Sequence, residues 1–276
     1  MSIVLHLRSD WVKMWEMKRW LAIFILIILF IVAGFYFKKT PLKTTETNNV
    51  LSAVKIPVST PVVIKQSTAL NLEESLIRAS WAEVNPKDVG FYSNLTDQHL
   101  SEQIKVDNSC QILVNGGFYS KENTHLGLFV SNSETLSKSI QSDTLNGFLW
   151  IDNGNIFIKD SLPEVTPQIA VQSGPLLMQD GKPLVLDINN DSPNRRIVAA
   201  TTADNKLVFL AFYTDESDLD GPLLGLLPEA VSLFKKQTGI NIIDAINLDG
   251  GSASFFVTNY VILRELAHVG SYFCIK

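Results

Sequence analysis

Cysteine is scarce in this chain: only Cys110 and Cys274 occur. Two thiols give no disulfide framework to read. Outside the cytoplasm they could pair, or they could pack separately as small buried hydrophobes, and the sequence leaves both open. Clusters of Lys and Arg are missing except beside one apolar run, and the formal net charge is −5. That balance argues against nucleic acid as a partner. No internal repeat is present, and no spacing of His, Cys, Asp or Glu demands a metal. The G-x-S-x-G elbow is also lacking, with no evident histidine partner for Ser252, so a serine hydrolase fits poorly.

Charge itself is absent from "WLAIFILIILFIVAGFYF", Trp20 to Phe37. Those eighteen residues, as a helix, rise about 27 Å, close to the thickness of a bilayer's hydrocarbon core. A core helix seldom lacks any polar face, so the run is predicted to be one N-terminal transmembrane helix embedded in the lipid bilayer. Arg8, Lys13, Lys18 and Arg19 precede it, while Lys38, Lys39 and Lys43 follow, so flanking charge discriminates orientation poorly. The run is long for a cleaved signal sequence and its basic lead-in extended. The reading is therefore an uncleaved signal-anchor of a single-pass membrane protein. Residues 1–19 are cytoplasmic, 20–37 form the anchor, and the C-terminal part is extracytoplasmic (periplasmic or extracellular).

Residues 38–68, rich in Thr, Pro, Asn and Lys, read as a linker. Residues 69–276 fit one domain with a substantial core. Most of its segments are strand-like, among them "RASWAEV", "DVGFYS", "QILV", "LGLFVS" and "KLVFLAFYT". Asn153-Gly154, between "GFLWID" and "NIFIKD", is a strong hairpin signal. "LPEAVSLFKKQTG" is a helix: Leu227, Ala230, Val231 and Phe234 share a stripe, basic residues close its last turn, and Gly239 follows. A second helix is predicted over "TALNLEESLIR". The fold class is α+β, an extensive mixed or antiparallel sheet with few helices.

Three polar knots interrupt the strands. Asn115-Gly116-Gly117-Phe118 follows "ILV"; paired glycines let a backbone approach a ligand and present successive N–H groups, a geometry that suits phosphate. Ser173-Gly174-Pro175 is a commonplace turn. In "INLDGGSAS", alternation puts Asn247 and Asp249 on one face of a strand, with Gly250, Gly251 and Ser252 behind. Arg195 and Arg196 enter an apolar strand, where a guanidinium beside glycine turns suits bidentate phosphate recognition. Each knot alone reads as a turn; together they suggest a pocket. His125, a lone loop histidine, reads as a bystander.

In this order, "NGGFY", "LGLFVS", "NGFLWID", "QSGPLL", the Arg pair, "LPEAVSLFK" and "AINLDGGSAS" resemble the phosphodiester glycosidase family, from about Trp81 to the C-terminus. Family members usually continue the last knot as Asp-Gly-Gly-Gly-Ser-Ser; here Ser252, Ala253 and Ser254 stand in those places. The resemblance implies hydrolysis of a sugar joined through its anomeric carbon to a phosphodiester. Such a bond needs its anion held and charge stabilised as water attacks. Arg196, with Arg195, is expected to clamp phosphate, and Gly116, Gly117, Gly250 and Gly251 to donate N–H groups. Asp249 is the expected general base or metal ligand, with Asn115 and Asn247 orienting substrate or water, and Ser173, Gly174 and Ser252 at the substrate. No cofactor is required, although a divalent cation could bridge Asp249 and phosphate. The alternative is a non-catalytic envelope module that binds phosphorylated glycans.

Overall fold

The computed structural model describes residues 67–276. The predicted anchor, its cytoplasmic lead and nearly all of the linker lie outside the described residues. Among the described residues no helix is long and apolar enough to cross a membrane. Ser67 and Thr68, assigned to the linker's end, already belong to the first strand, Ser67–Leu72.

Strands dominate, with two α-helices among the described residues, Ser101–Asp107 and Leu227–Thr238. Three sheets of seven, five and five strands form, and the strand pairs within them run antiparallel. The large sheet centres on Leu207–Tyr213, Arg196–Thr202 and Ile242–Asn247. Alternation along Arg196–Thr202 splits its side chains between two cores. Ile197 and Ala199 join residues of all three sheets, including Phe91, Val114, Leu149, Val171 and Phe273. Val198 and Ala200 face the helix Leu227–Thr238, meeting the stripe Leu227, Ala230, Val231 and Phe234. Gly239, with φ of 76°, ends that helix in the left-handed conformation that glycine adopts freely.

The helix expected over "TALNLEESLIR" is instead a hairpin of Ser67–Leu72 and Ser75–Val84. Leu70 and Leu72 are buried while Asn71 between them is exposed, a period of two that belongs to a half-buried strand. The hairpin Gly147–Asp152 to Asn155–Lys159 turns at Asn153 and Gly154, with φ of 50° and 74°. Cys110 and Cys274 are joined in a disulfide across 164 residues.

Candidate active site

Each knot ends a strand of a different sheet: Ile112–Asn115, Ile169–Ser173 and Ile242–Asn247. Hydrogen bonds then tie the three knots to one another. Asn115 Nδ2 donates to the Asp249 carbonyl at 2.8 Å, and the Asp249 N–H donates to the Gly116 carbonyl at 3.2 Å. Ser173 Oγ and the Gly174 N–H both donate to the Asn247 carbonyl, while Asn247 Nδ2 returns a bond to the Gly174 carbonyl. The Gly251 N–H donates to the Arg195 carbonyl at 2.8 Å. Gly250 lies so close that an added Cβ would stand 2.7 Å from that same oxygen. The sequence therefore needs glycine there for approach of one backbone to another.

A cleft of about 710 Å³ opens over this junction, within the size range of small-ligand sites. Asn194, Arg196, Asn247, Asp249, Gly250, Gly251 and Ser252 line it, with Gly174 and Pro175 beneath. Asp249 supplies the only carboxylate of this lining and Arg196 the only cation. Burial pushes the Asp249 carboxyl up to about 7, against one opposing bond from the Gly250 N–H at 2.9 Å. Arg196 is held from behind. Its Nε donates to the Pro222 carbonyl, and Nη2 donates to Asp191 Oδ1 at 3.1 Å and to the Ser192 carbonyl at 2.6 Å. Nη1 makes no hydrogen bond among the described residues. Asp191 also accepts from the N–H groups of Ser192 and Gly225, so it fixes the guanidinium and the turn carrying Leu224 together. Among the described residues no three His, Cys, Asp or Glu side chains gather as a metal group.

Several expected roles are corrected. Arg195 is fully buried, and its guanidinium donates to Ser254 Oγ and to the carbonyls of Ser254, Arg264 and Asp218. With its donors spent inside the protein, it does not clamp phosphate. Asn115 is buried too, its amide bridging Asp249, Gly116 and Phe255 rather than facing a ligand. Ser173 is buried behind the cleft on the Asn247 carbonyl. The N–H groups of Gly116, Gly250 and Gly251 are already donated, to Ser271, Asp249 and Arg195, and so form no anion cradle. Gly117 packs against Val171 outside the cleft lining. His125 stacks on Phe129 at 3.7 Å, bonds Ser93 Oγ, and is held neutral by burial, its pKa lowered to about 4.

Other cleft residues were given no role in the sequence, although Phe118 and Leu126 lie in the segments "NGGFY" and "LGLFVS" that carry the family resemblance. Phe118, Leu126, Ile140, Leu145 and Asn194 lie in loops without periodicity, and Leu224 in a single 3-10 turn, Leu224–Leu226. Asp191, in "NNDSPN", reads only as turn composition.

The model of the phosphodiester glycosidase family matches residues 108–275. The chain belongs to that family. No curated protein matches it by sequence. Its fold is similar to the catalytic domain of zebrafish N-acetylglucosamine-1-phosphodiester alpha-N-acetylglucosaminidase, described as auto-inhibited by its pro-peptide. The TM-score is 0.59 at 17% identity, covering 76% of this chain and 81% of that one. A hypothetical protein from Synechocystis is also similar, with TM-score 0.53 at 13% identity, covering 76% of this chain and 61% of that one. At such identities the likeness shows the fold alone.

Proposed function

We propose that the chain is a hydrolase of glycosyl phosphodiesters, anchored in the membrane through residues 20–37 and working outside the cytoplasm. One observation carries this reading: on a phosphodiester glycosidase domain, Asp249 and Arg196 line the same cleft. Arg196 Nη1 holds the phosphate, and Asn247 and Asn194 orient the sugar. Asp249 takes a proton from water as the water oxygen bonds to the anomeric carbon. The bond from that carbon to the phosphate oxygen breaks, and its electron pair leaves with the phosphate as a monoester. Phosphate leaves without strong protonation, so one base can suffice where ordinary glycosidases use two carboxyls.

The reaction as read here uses no cofactor. A divalent cation would find Asp249 as its only carboxylate in the lining, with Asn247 Oδ1, which has no hydrogen-bond partner among the described residues, as a neighbouring oxygen.

The test is sugar release from an N-acetylglucosaminyl phosphodiester by the full chain. Asp249→Asn and Arg196→Ala are expected to cut turnover by about 10²–10⁴-fold. Unchanged turnover in both would refute the assignment. Calorimetric binding of a glycosyl phosphate with no sugar ever released would favour the binding-module reading.

A further inference from the structure

The cleft has two unlike walls. The polar wall is continuous: Asn194 Oδ1 lies 3.3 Å from where a Cβ on Gly251 would stand, and Gly250 packs on the Arg195 carbonyl. The other wall is apolar, made by Phe118, Leu126, Ile140 and Leu145, with Pro175 at the base. The same loop brings Ser142 and Thr144 to the lining, where Ser142 Oγ lies 3.3 Å from Thr144 Oγ1 and accepts from the Leu145 N–H, so its hydroxyls are partly engaged with the loop itself.

One buried side chain assembles that wall. Gln172, 1% exposed, accepts at Oε1 from the N–H groups of Leu128 and Ile140, and donates from Nε2 to the carbonyls of Ile140 and Leu145. It thereby hangs two loops on the third sheet's strand Ile169–Ser173. Asn146 Oδ1 adds a bond from the Leu176 N–H at 2.8 Å. Four backbone groups on one buried amide hold Ile140 at 45% exposure at the cleft. An exposed aliphatic held so firmly calls for a partner.

Resting on the reading of the cleft as a glycosyl phosphodiester site, we propose that the group esterified to the phosphate beyond the sugar is apolar, an alkyl or aryl alcohol. The sugar needs many hydrogen-bond partners, and these are densest on the wall of Asn194, Asn247, Asp249 and Ser252. With phosphate on Arg196, the remaining substituent is left to face Phe118, Leu126, Ile140 and Leu145. A polyhydroxylated group there would lose water and find only the Ser142 and Thr144 hydroxyls, themselves engaged with each other and with the Leu145 N–H, to replace those bonds.

The experiment measures binding of benzyl methyl phosphate and dimethyl phosphate to the full chain by calorimetry. Hydrolysis of the methyl and benzyl diesters of N-acetylglucosamine 1-phosphate is measured in parallel. The benzyl compounds are expected to be favoured at least tenfold in Kd and in kcat/KM. Ile140→Ser with Leu145→Ser should bring that preference to within threefold; Ile140→Met should keep it. Equal affinity for the two sugar-free diesters, no binding of the benzyl one, or a preference that survives the double substitution overturns the proposal. A benzyl preference that responds to the substitutions while neither sugar diester is cleaved supports it and refutes the hydrolytic reading alone.

Discussion

Burial around Asp249 disfavours its charged form, and two opposite pH dependences follow from that one fact. As the proposed base, Asp249 must be ionised, so kcat/KM should rise with pH and level off above about 7. A pH–rate profile checks this, and a flat profile between pH 5 and 8 would count against Asp249 as base. Stability runs the other way. Between the ordinary carboxylate value and about 7, the folded chain keeps a proton that the unfolded chain has lost. The benefit is complete at acid pH and disappears as pH rises through about 7. Asp249→Asn removes the penalty while its amide oxygen can still accept from the Gly250 N–H. It should therefore stabilise the fold on the order of 2 kcal/mol at pH 8 and leave it nearly unchanged at pH 4. Thermal melts at the two pH values decide it.

At the scale of elements, the strand Arg196–Thr202 separates two arginines that look alike in sequence. Successive side chains leave an extended chain on opposite sides. Arg195 goes into the protein to bind Ser254, Arg264 and Asp218, while Arg196 goes to the cleft. Arg195→Lys cannot reproduce several fixed bonds from one planar group and should cost about 3–5 kcal/mol of stability. Arg196→Lys also loses fixed bonds, to Pro222, Asp191 and Ser192, and should cost about 1–2 kcal/mol while raising KM about tenfold. Denaturant titration and steady-state kinetics separate the two; a stable Arg195→Lys with high KM would reverse their roles. Local chemistry had made some elements readable: the Asn153-Gly154 turn, and the helix Leu227–Thr238 with its glycine stop. Alternation was expected to put Asn247 and Asp249 on one face; the strand ends at Asn247, and both residues line the cleft. Which arginine turns inward depends on where the strand begins, and no pattern in "NRRIVAA" marks it. The apolar wall was hidden for a similar reason, because Gln172 gathers its loops from a distance. The hairpin at Ser67–Val84 was misread because a leucine-rich, glutamate-containing segment satisfies helix propensity while its neighbour Leu207–Tyr213 offers a sheet edge.

Across the whole molecule, the disulfide between Cys110 and Cys274 ties the beginning of the family domain to its end. Cys274 lies in the strand Ser271–Ile275, which pairs with Ile112–Asn115, so the bond fastens neighbouring strands that carry the first knot. Closing a 164-residue loop limits the unfolded chain far more than the folded one. Replacing both cysteines by serine should cost about 2–5 kcal/mol, roughly 5–15 °C in melting temperature for a domain of this size. The same bond bears on location, because such pairs persist where thiols are not kept reduced. If residues 20–37 deliver the domain across a membrane, the full chain taken from cells under acid quench and then denatured should expose no alkylatable thiol. Removing residues 1–37 should leave the domain in the cytoplasm, with both thiols labelled and a melting temperature close to that of the serine variant. Two labelled thiols on the full chain would sink the extracytoplasmic placement, while leaving the roles of Asp249 and Arg196 to be judged by turnover.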